Sequence, residues 1–310
     1  MYARKRAACA AILTGVLLWL GLSPWAARFL YVHFLMPRCR SERKENLQPL
    51  DKTVRPVEFL SGGVYTLCGQ VYTGAHSQKL FIYYGGRQSN QVKNLIRVNA
   101  LLKTGYSVFT FEYRGFGDAE GRATVDSLLE DGLAAYDAVI RLGYSAQQIV
   151  LYGESLGAAV AAYVSARRSA GGLILQSGFS DLEIQIKDMI PLLRIYPRFM
   201  FPELQLSTVD NLRTSHPPLL ILHGDKDSVV DKKHSEWLAK AAGTNTRLVL
   251  LPGATHRDVH SRYDWFRAVF DFLSLDVESS IQAPGPHLDS TTVRNSYERG
   301  ADTQVSRTGA

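Results

Sequence analysis

A chain of 310 residues with 46% hydrophobic and 21% charged residues has the material for one sizeable globular domain with extensions, which excludes a fibrous or wholly disordered protein. The formal net charge of +6 is confined to one end, because residues 1–45 carry eight Lys/Arg against two Glu and the rest of the chain is balanced. A balanced body without a basic stripe is poor ground for a phosphate backbone, so nucleic acid is not an expected partner. Cys9, Cys39 and Cys68 lack the paired spacing of a disulfide framework or a zinc site, and no metal is expected.

In chain order, Arg4, Lys5 and Arg6 precede an uncharged run over residues 7–27. As a helix that run reaches about 30 Å, the hydrocarbon thickness of a bilayer. This predicts a single-pass N-terminal transmembrane anchor and a membrane location. A cleaved signal peptide is the alternative, although Pro24 and Trp25 stand where cleavage wants small residues. Residues 29–36, aromatic and apolar around His33, read as an interfacial segment. Arg28, Arg38, Arg40, Arg43 and Lys44 behind the span answer the basic residues ahead of it, so charge leaves the orientation undecided. The domain plan is an anchor over 1–45, a catalytic domain over 46–276, and a disordered tail over 277–310, where Ser, Thr, Gly and Pro replace core-forming residues.

From about Val57 the chain alternates short β-branched runs with longer stretches of helical spacing, the pattern of a mostly parallel sheet covered by helices. Residues 64–72 predict a half-exposed antiparallel strand. Residues 80–84, 107–111, 148–152, 172–176, 219–222 and 247–251 predict buried, mostly parallel strands. Residues 125–142 predict a helix that buries Leu128, Leu129, Leu133, Val139 and Ile140, and residues 261–273 one that buries Trp265, Val269 and Phe272. The rhythm breaks over 178–217, where residues 184–193 and 196–201 read as short apolar helices. A connection this long carries either a cap over the catalytic edge or a structural excursion along the sheet.

Gly153-Glu154-Ser155-Leu156-Gly157 follows the strand at 148–152 and opens a small-residue helix over 158–166. Strand, sharp turn and helix are the setting in which Gly-x-Ser-x-Gly exposes its serine above a sheet, with Gly153 and Gly157 admitting backbone that a side chain would block. A serine hydroxyl needs a base, and the base needs an acid. His223-Gly224-Asp225-Lys226-Asp227 ends a later strand, and Pro252-Gly253-Ala254-Thr255-His256 ends the last one. Loops beyond the carboxyl ends of parallel strands share an edge with the serine. Asp227 is preferred as the acid over Asp225, which follows Gly224 and reads as a turn residue, and His256 is the natural base. His223 reads as a strand end, His234 as part of a surface helix, and Asp258 as a loop stabiliser. The oxyanion donors expected from this arrangement are the amides of Leu156 and Gly86.

Taken together, Tyr84-Gly85-Gly86, Glu112-Tyr113-Arg114-Gly115-Phe116-Gly117, Gly153 to Gly157, His223 to Asp227 and Gly253 to His256 make the chain resemble the α/β-hydrolase superfamily. The resemblance covers roughly residues 57–275 and points to its small membrane-anchored branch, related to serine aminopeptidase-like hydrolases and protein depalmitoylases. It departs from that pattern at Tyr84-Gly85-Gly86, where the family usually has His-Gly-Asn, and at Asp118-Ala119-Glu120-Gly121, which lacks the family's serine. Arg114 reads as structural. The resemblance implies an α/β-hydrolase fold, no cofactor, and a Ser155–His256–Asp227 triad hydrolysing an ester or thioester of a small or lipid-like acyl substrate. A serine peptidase and a catalytically silent, membrane-tethered binding protein are the alternatives.

Overall fold

The computed structural model describes residues 2–24, 26, 54–87, 89–201 and 206–280. The expected interfacial segment at 29–36, the basic residues behind it and the tail from 281 onward lie outside the described residues. The described residues up to Phe270 form one compact unit, and those from Asp271 onward belong to a second.

Helix α1 (Tyr2–Gly21) begins with the basic cluster and is shorter than the predicted span. Only residues 7–21 of it are uncharged, and at 1.5 Å per residue they cover about 22 Å, short of the roughly 30 Å a bilayer requires. No helix among the described residues is long and apolar enough to cross a membrane, which leaves the expected transmembrane helix without support. The local reason is at the helix end. The Leu22 and Ser23 amides close the last turn onto the Leu18 and Leu20 carbonyls, and Ser23 Oγ donates to Leu20 O at 2.6 Å. Pro24 then disfavours helical backbone at the residue before it. Ile12, Leu13, Val16, Leu17 and Leu18 stand exposed, while Trp19 stacks on Tyr196 with ring centroids 5.3 Å apart.

Among the described residues the body is built on one eight-stranded sheet in the order β1-β2-β4-β3-β5-β6-β7-β8. The strands are β1 (Val54–Ser61), β2 (Tyr65–Tyr72), β3 (His76–Tyr84), β4 (Tyr106–Phe111), β5 (Ile149–Glu154), β6 (Gly172–Gln176), β7 (Leu219–Gly224) and β8 (Thr246–Leu251). β1 pairs antiparallel with β2, and β2 antiparallel with β4; every other pairing is parallel. β1 is absent from the sequence reading. Pro56 and the charges of Arg55 and Glu58 hide its alternation, and such a strand is tolerated at a half-exposed sheet edge. The β1–β2 connection uses Gly62 and Gly63, both at positive φ, which a tight hairpin requires.

Between β3 and β4 lies helix α2 (Gln91–Leu102), which buries Leu95, Val98 and Leu101. Helix α3 (Val125–Arg141) starts at a Thr124–Ser127 capping box and buries Leu128 and Val139, whereas Ile140 rotates out to solvent. Helix α4 (Leu156–Ser165) is wrapped on all sides, with Ala158 to Ala162 fully buried. The insertion after β6 contains α5 (Leu182–Met189), single 3₁₀ turns at Pro191–Ile195 and Arg198–Met200, and α6 (Thr208–Leu212). The predicted helix over 184–193 is cut short because Pro191 cannot continue it. α7 (Lys233–Ala242) precedes β8, and α8 (Tyr263–Ser280) closes the described chain; it extends past residue 276, where the tail was expected to begin. Trp265 and Val269 of α8 are buried as predicted.

Candidate active site

β5 occupies the middle of the sheet and delivers Ser155 at its carboxyl end. Ser155 has φ 56° and ψ −116°, a conformation that side chains rarely adopt, held by its own amide donating to Gln176 O at 2.9 Å. Two glycines make that turn fit. A Cβ at Gly157 would lie 2.0 Å from Tyr84 O, and one at Gly153 would lie 2.4 Å from Gly157 O. Leu156 is the first residue of α4, where amides have no acceptor inside the helix. Gly86 sits across from it: a Cβ there would be 3.4 Å from Ser155 Cβ and 4.0 Å from Ser155 Oγ. The two expected oxyanion donors therefore both border the serine.

Asp227 follows β7 and its carboxylate is completely buried. Oδ1 accepts from the amides of Val229 (2.8 Å) and Val230 (2.9 Å), while Oδ2 takes His256 Nδ1 at 2.7 Å. Burial pushes the Asp227 carboxyl up, but the His256 hydrogen bond and charge, with the two amides, outweigh it and hold the acid below its ordinary value. Asp225 instead accepts from Gly253 N at 2.7 Å, bracing the two loops, and Asp258 accepts from the Thr255 amide at 2.6 Å; both are loop stabilisers, as expected. His223 is buried under the site with Nε2 2.9 Å from Val230 O and 3.5 Å from Asp227 Oδ2. His234 corrects the sequence reading. It lies on α7 but is fully buried, with Nδ1 2.8 Å from Ser180 Oγ and Nε2 3.3 Å from Asp188 Oδ2.

Ser155 and His256 line one cavity of about 650 Å³, together with Gly86, Arg87, Lys93, Arg97, Glu154 and His260. Ser155 also borders a narrower apolar slot walled by Leu156, Phe179, Leu182, Ile186, Met189 and Val230. α5 supplies much of that slot, so the insertion after β6 lies beside Ser155.

Residues 80–217 match the serine aminopeptidase S33 family. The uncharacterized protein YfhR of Escherichia coli K12 is 32% identical over 184 residues, which is 58% of this chain and 63% of that one. The human alpha/beta hydrolase domain-containing protein 17C is 26% identical over 176 residues, 56% of this chain and 51% of that one. The chain thus spans less than two thirds of the length of these relatives. The Pyrococcus furiosus esterase Pf2001 superposes with a TM-score of 0.64 over 78% of this chain and 98% of the esterase at 19% identity, a likeness of fold. The chain has the fold of the α/β hydrolases and is similar in sequence to the S33 family over residues 80–217.

The departures from the family pattern have structural accounts. Tyr84 turns its side chain into the core, where the hydroxyl donates to Gly132 O at 3.2 Å, and leaves the Gly85-Gly86 backbone at the site. Arg114 binds α3 rather than the catalytic edge. Its Nε donates to Asp131 Oδ1 at 2.7 Å, and its backbone amide to Asp131 Oδ2 at 2.8 Å. In the loop that lacks the family's serine, the Asp118 amide donates to Glu112 Oε2 at 3.2 Å.

The sequence reading missed one feature of this site. Glu154, beside the nucleophile position, is buried and receives a two-pronged pair from Arg97 of α2, Nε to Oε2 and the guanidinium NH2 to Oε1, both at 3.1 Å. Tyr83 Oη donates to the same carboxylate at 2.8 Å. Burial pushes Glu154 up, yet the Arg97 charge and these hydrogen bonds hold it below its usual range. The available signal was a carboxylate at the end of a wholly apolar strand, which demands a partner.

Proposed function

We propose that the chain is a serine hydrolase that cleaves carboxylic ester or thioester bonds of an acyl substrate through an acyl-enzyme on Ser155. The observation that carries this reading is the strained, half-buried Ser155, set ahead of α4 in the cavity it shares with an Asp227-held His256. Ser155 Oγ attacks the carbonyl carbon while His256 Nε2 takes its proton. The Leu156 and Gly86 amides receive the developing oxyanion, and His256 returns the proton to the departing oxygen or sulfur as that bond breaks. A water then attacks the acyl-enzyme by the same route, releasing the acid and restoring Ser155. Asp227 keeps the His256 proton on Nδ1 and supports the imidazolium. The apolar slot under α5 favours an aliphatic acyl chain.

The test uses the full chain with a fluorophosphonate probe, which reacts only with activated serines. Wild type should label, and Ser155→Ala and His256→Ala should not. A folded wild type that stays unlabelled would falsify the reading and favour a silent binding protein of the same fold. The S33 match over residues 80–217 also supports a peptidase reading. A panel of aminoacyl amides separates the two, since ester turnover without amide turnover removes the peptidase.

The membrane expectation stands as a proposal: α1 and the cap rest against a lipid surface. The exposed Ile12, Leu13, Leu17 and Leu18 of α1, with Leu192, Ile195 and Phe199 around Tyr196, support it. The full chain should float with anionic liposomes, and Phe199→Glu with Leu192→Glu should release it; a chain that never floats ends the proposal.

A further inference from the structure

The cavity and the slot beside Ser155 differ in chemistry, and His256 distinguishes them. His256 lines the larger cavity and not the apolar slot. The group that protonates a leaving atom must be next to it at the moment of bond cleavage, so the leaving group occupies the cavity on the His256 side and the acyl chain takes the slot. That cavity has four cationic residues on its wall, Arg87, Lys93, Arg97 and Arg257; Arg87 also borders the slot, whereas Lys93, Arg97 and Arg257 belong to the cavity and not to the slot. Among the described residues lining it, Glu154 is the one carboxylate, and its oxygens are taken by Arg97 and Tyr83. The wall therefore carries an excess of positive charge within a partly enclosed space, where charges act more strongly than on open surface.

We propose that this cavity is a subsite for an anionic leaving group, so that the substrate is an acyl ester or thioester whose alcohol or thiol part carries a phosphate or carboxylate. The proposal rests on the acyl-enzyme reading for its geometry. Arg257 and Lys93 line that subsite from the loop after β8 and from the first turn of α2. Arg97 is anchored from below by Glu154, which fixes the position of its guanidinium.

Binding is measured on full-length Ser155→Ala, which cannot turn the ligand over, by isothermal titration at low salt. The ligands are 1-butyrylglycerol 3-phosphate and neutral 1-butyrylglycerol, which share acyl group and linkage, with O-butyryl lactate as the carboxylate arm. The phosphate ester should bind about tenfold tighter than the neutral ester, as charge-assisted contacts allow, and the gap should shrink as salt rises. Lys93→Gln combined with Arg257→Gln should collapse the gap. The lactate arm matching the phosphate arm assigns the subsite to anions at large; the phosphate arm alone showing the gap assigns it to phosphate. Equal affinity for all three ligands, or a gap that survives the double substitution, overturns the subsite. Turnover by wild type keeps the two readings apart. Hydrolysis of both glycerol esters with equal kcat/KM overturns the subsite and leaves the acyl-enzyme standing, whereas an inert, unlabelled wild type whose Ser155→Ala form keeps the binding gap overturns the reaction and leaves the anion subsite.

Discussion

Asp227 divides its two oxygens between different tasks. Oδ1 is fixed by the Val229 and Val230 amides, so Oδ2 can face His256 only in one orientation. Asp227→Asn keeps the shape and loses the acceptor that selects the His256 tautomer; kcat on a short-chain ester should fall by roughly 10³- to 10⁴-fold with little change in KM. Arg97→Met should cost about 3 kcal/mol in a denaturant titration, because it leaves the Glu154 charge buried without its partner. Both Asp227 and Glu154 sit below their ordinary values when folded, so the unfolded chain takes up the proton first as pH falls. Their contribution is complete above about pH 5 and is lost as pH drops through the depressed folded values; thermal unfolding should show constant support at neutral pH and a decline beginning near the ordinary carboxylate range of about 4. At this scale the sequence was most readable where a motif carried its own context. Ser155, Asp227, His256 and Gly86 converge on one edge, while the Arg97–Glu154 pair was hidden because its members are 57 positions apart.

The elbow between β5 and α4 is tight enough to forbid the smallest enlargement. Gly157→Ala places a methyl 2.0 Å from the Tyr84 carbonyl, against backbone that has no rotamer to escape into, and should cost at least about 1–3 kcal/mol while abolishing probe labelling. Retained labelling with native stability would show that β3 yields at Tyr84. The strands at the sheet centre were legible because burial on both faces demands continuous apolar runs, and β3 to β7 carry them or nearly so; β8, expected to be buried, is the edge strand and buries only Leu251. β1 was not, since an edge strand with Pro56 satisfies weaker demands than its pattern advertises. The cap was legible as an interruption and illegible in detail: Pro191 breaks the expected helix, and residues 191–200 form 3₁₀ turns held by tertiary packing.

Across the whole chain, the length of an uncharged run was a poor guide to the helix it forms. The run over 7–27 promised a span, and a local device at Ser23 and Pro24 ended the helix early. The sequence also could not convey that α1 is joined to the fold through the stack of Trp19 on Tyr196, a buried residue of the cap between two 3₁₀ turns. This bears on how the protein is handled at the bench. Trimming the N-terminal helix to gain an easily purified fragment removes the ring that covers Tyr196 and exposes a residue on the insertion that walls the acyl slot. Such a fragment should be compared with Trp19→Ala in the intact chain before its behaviour is taken for that of the whole.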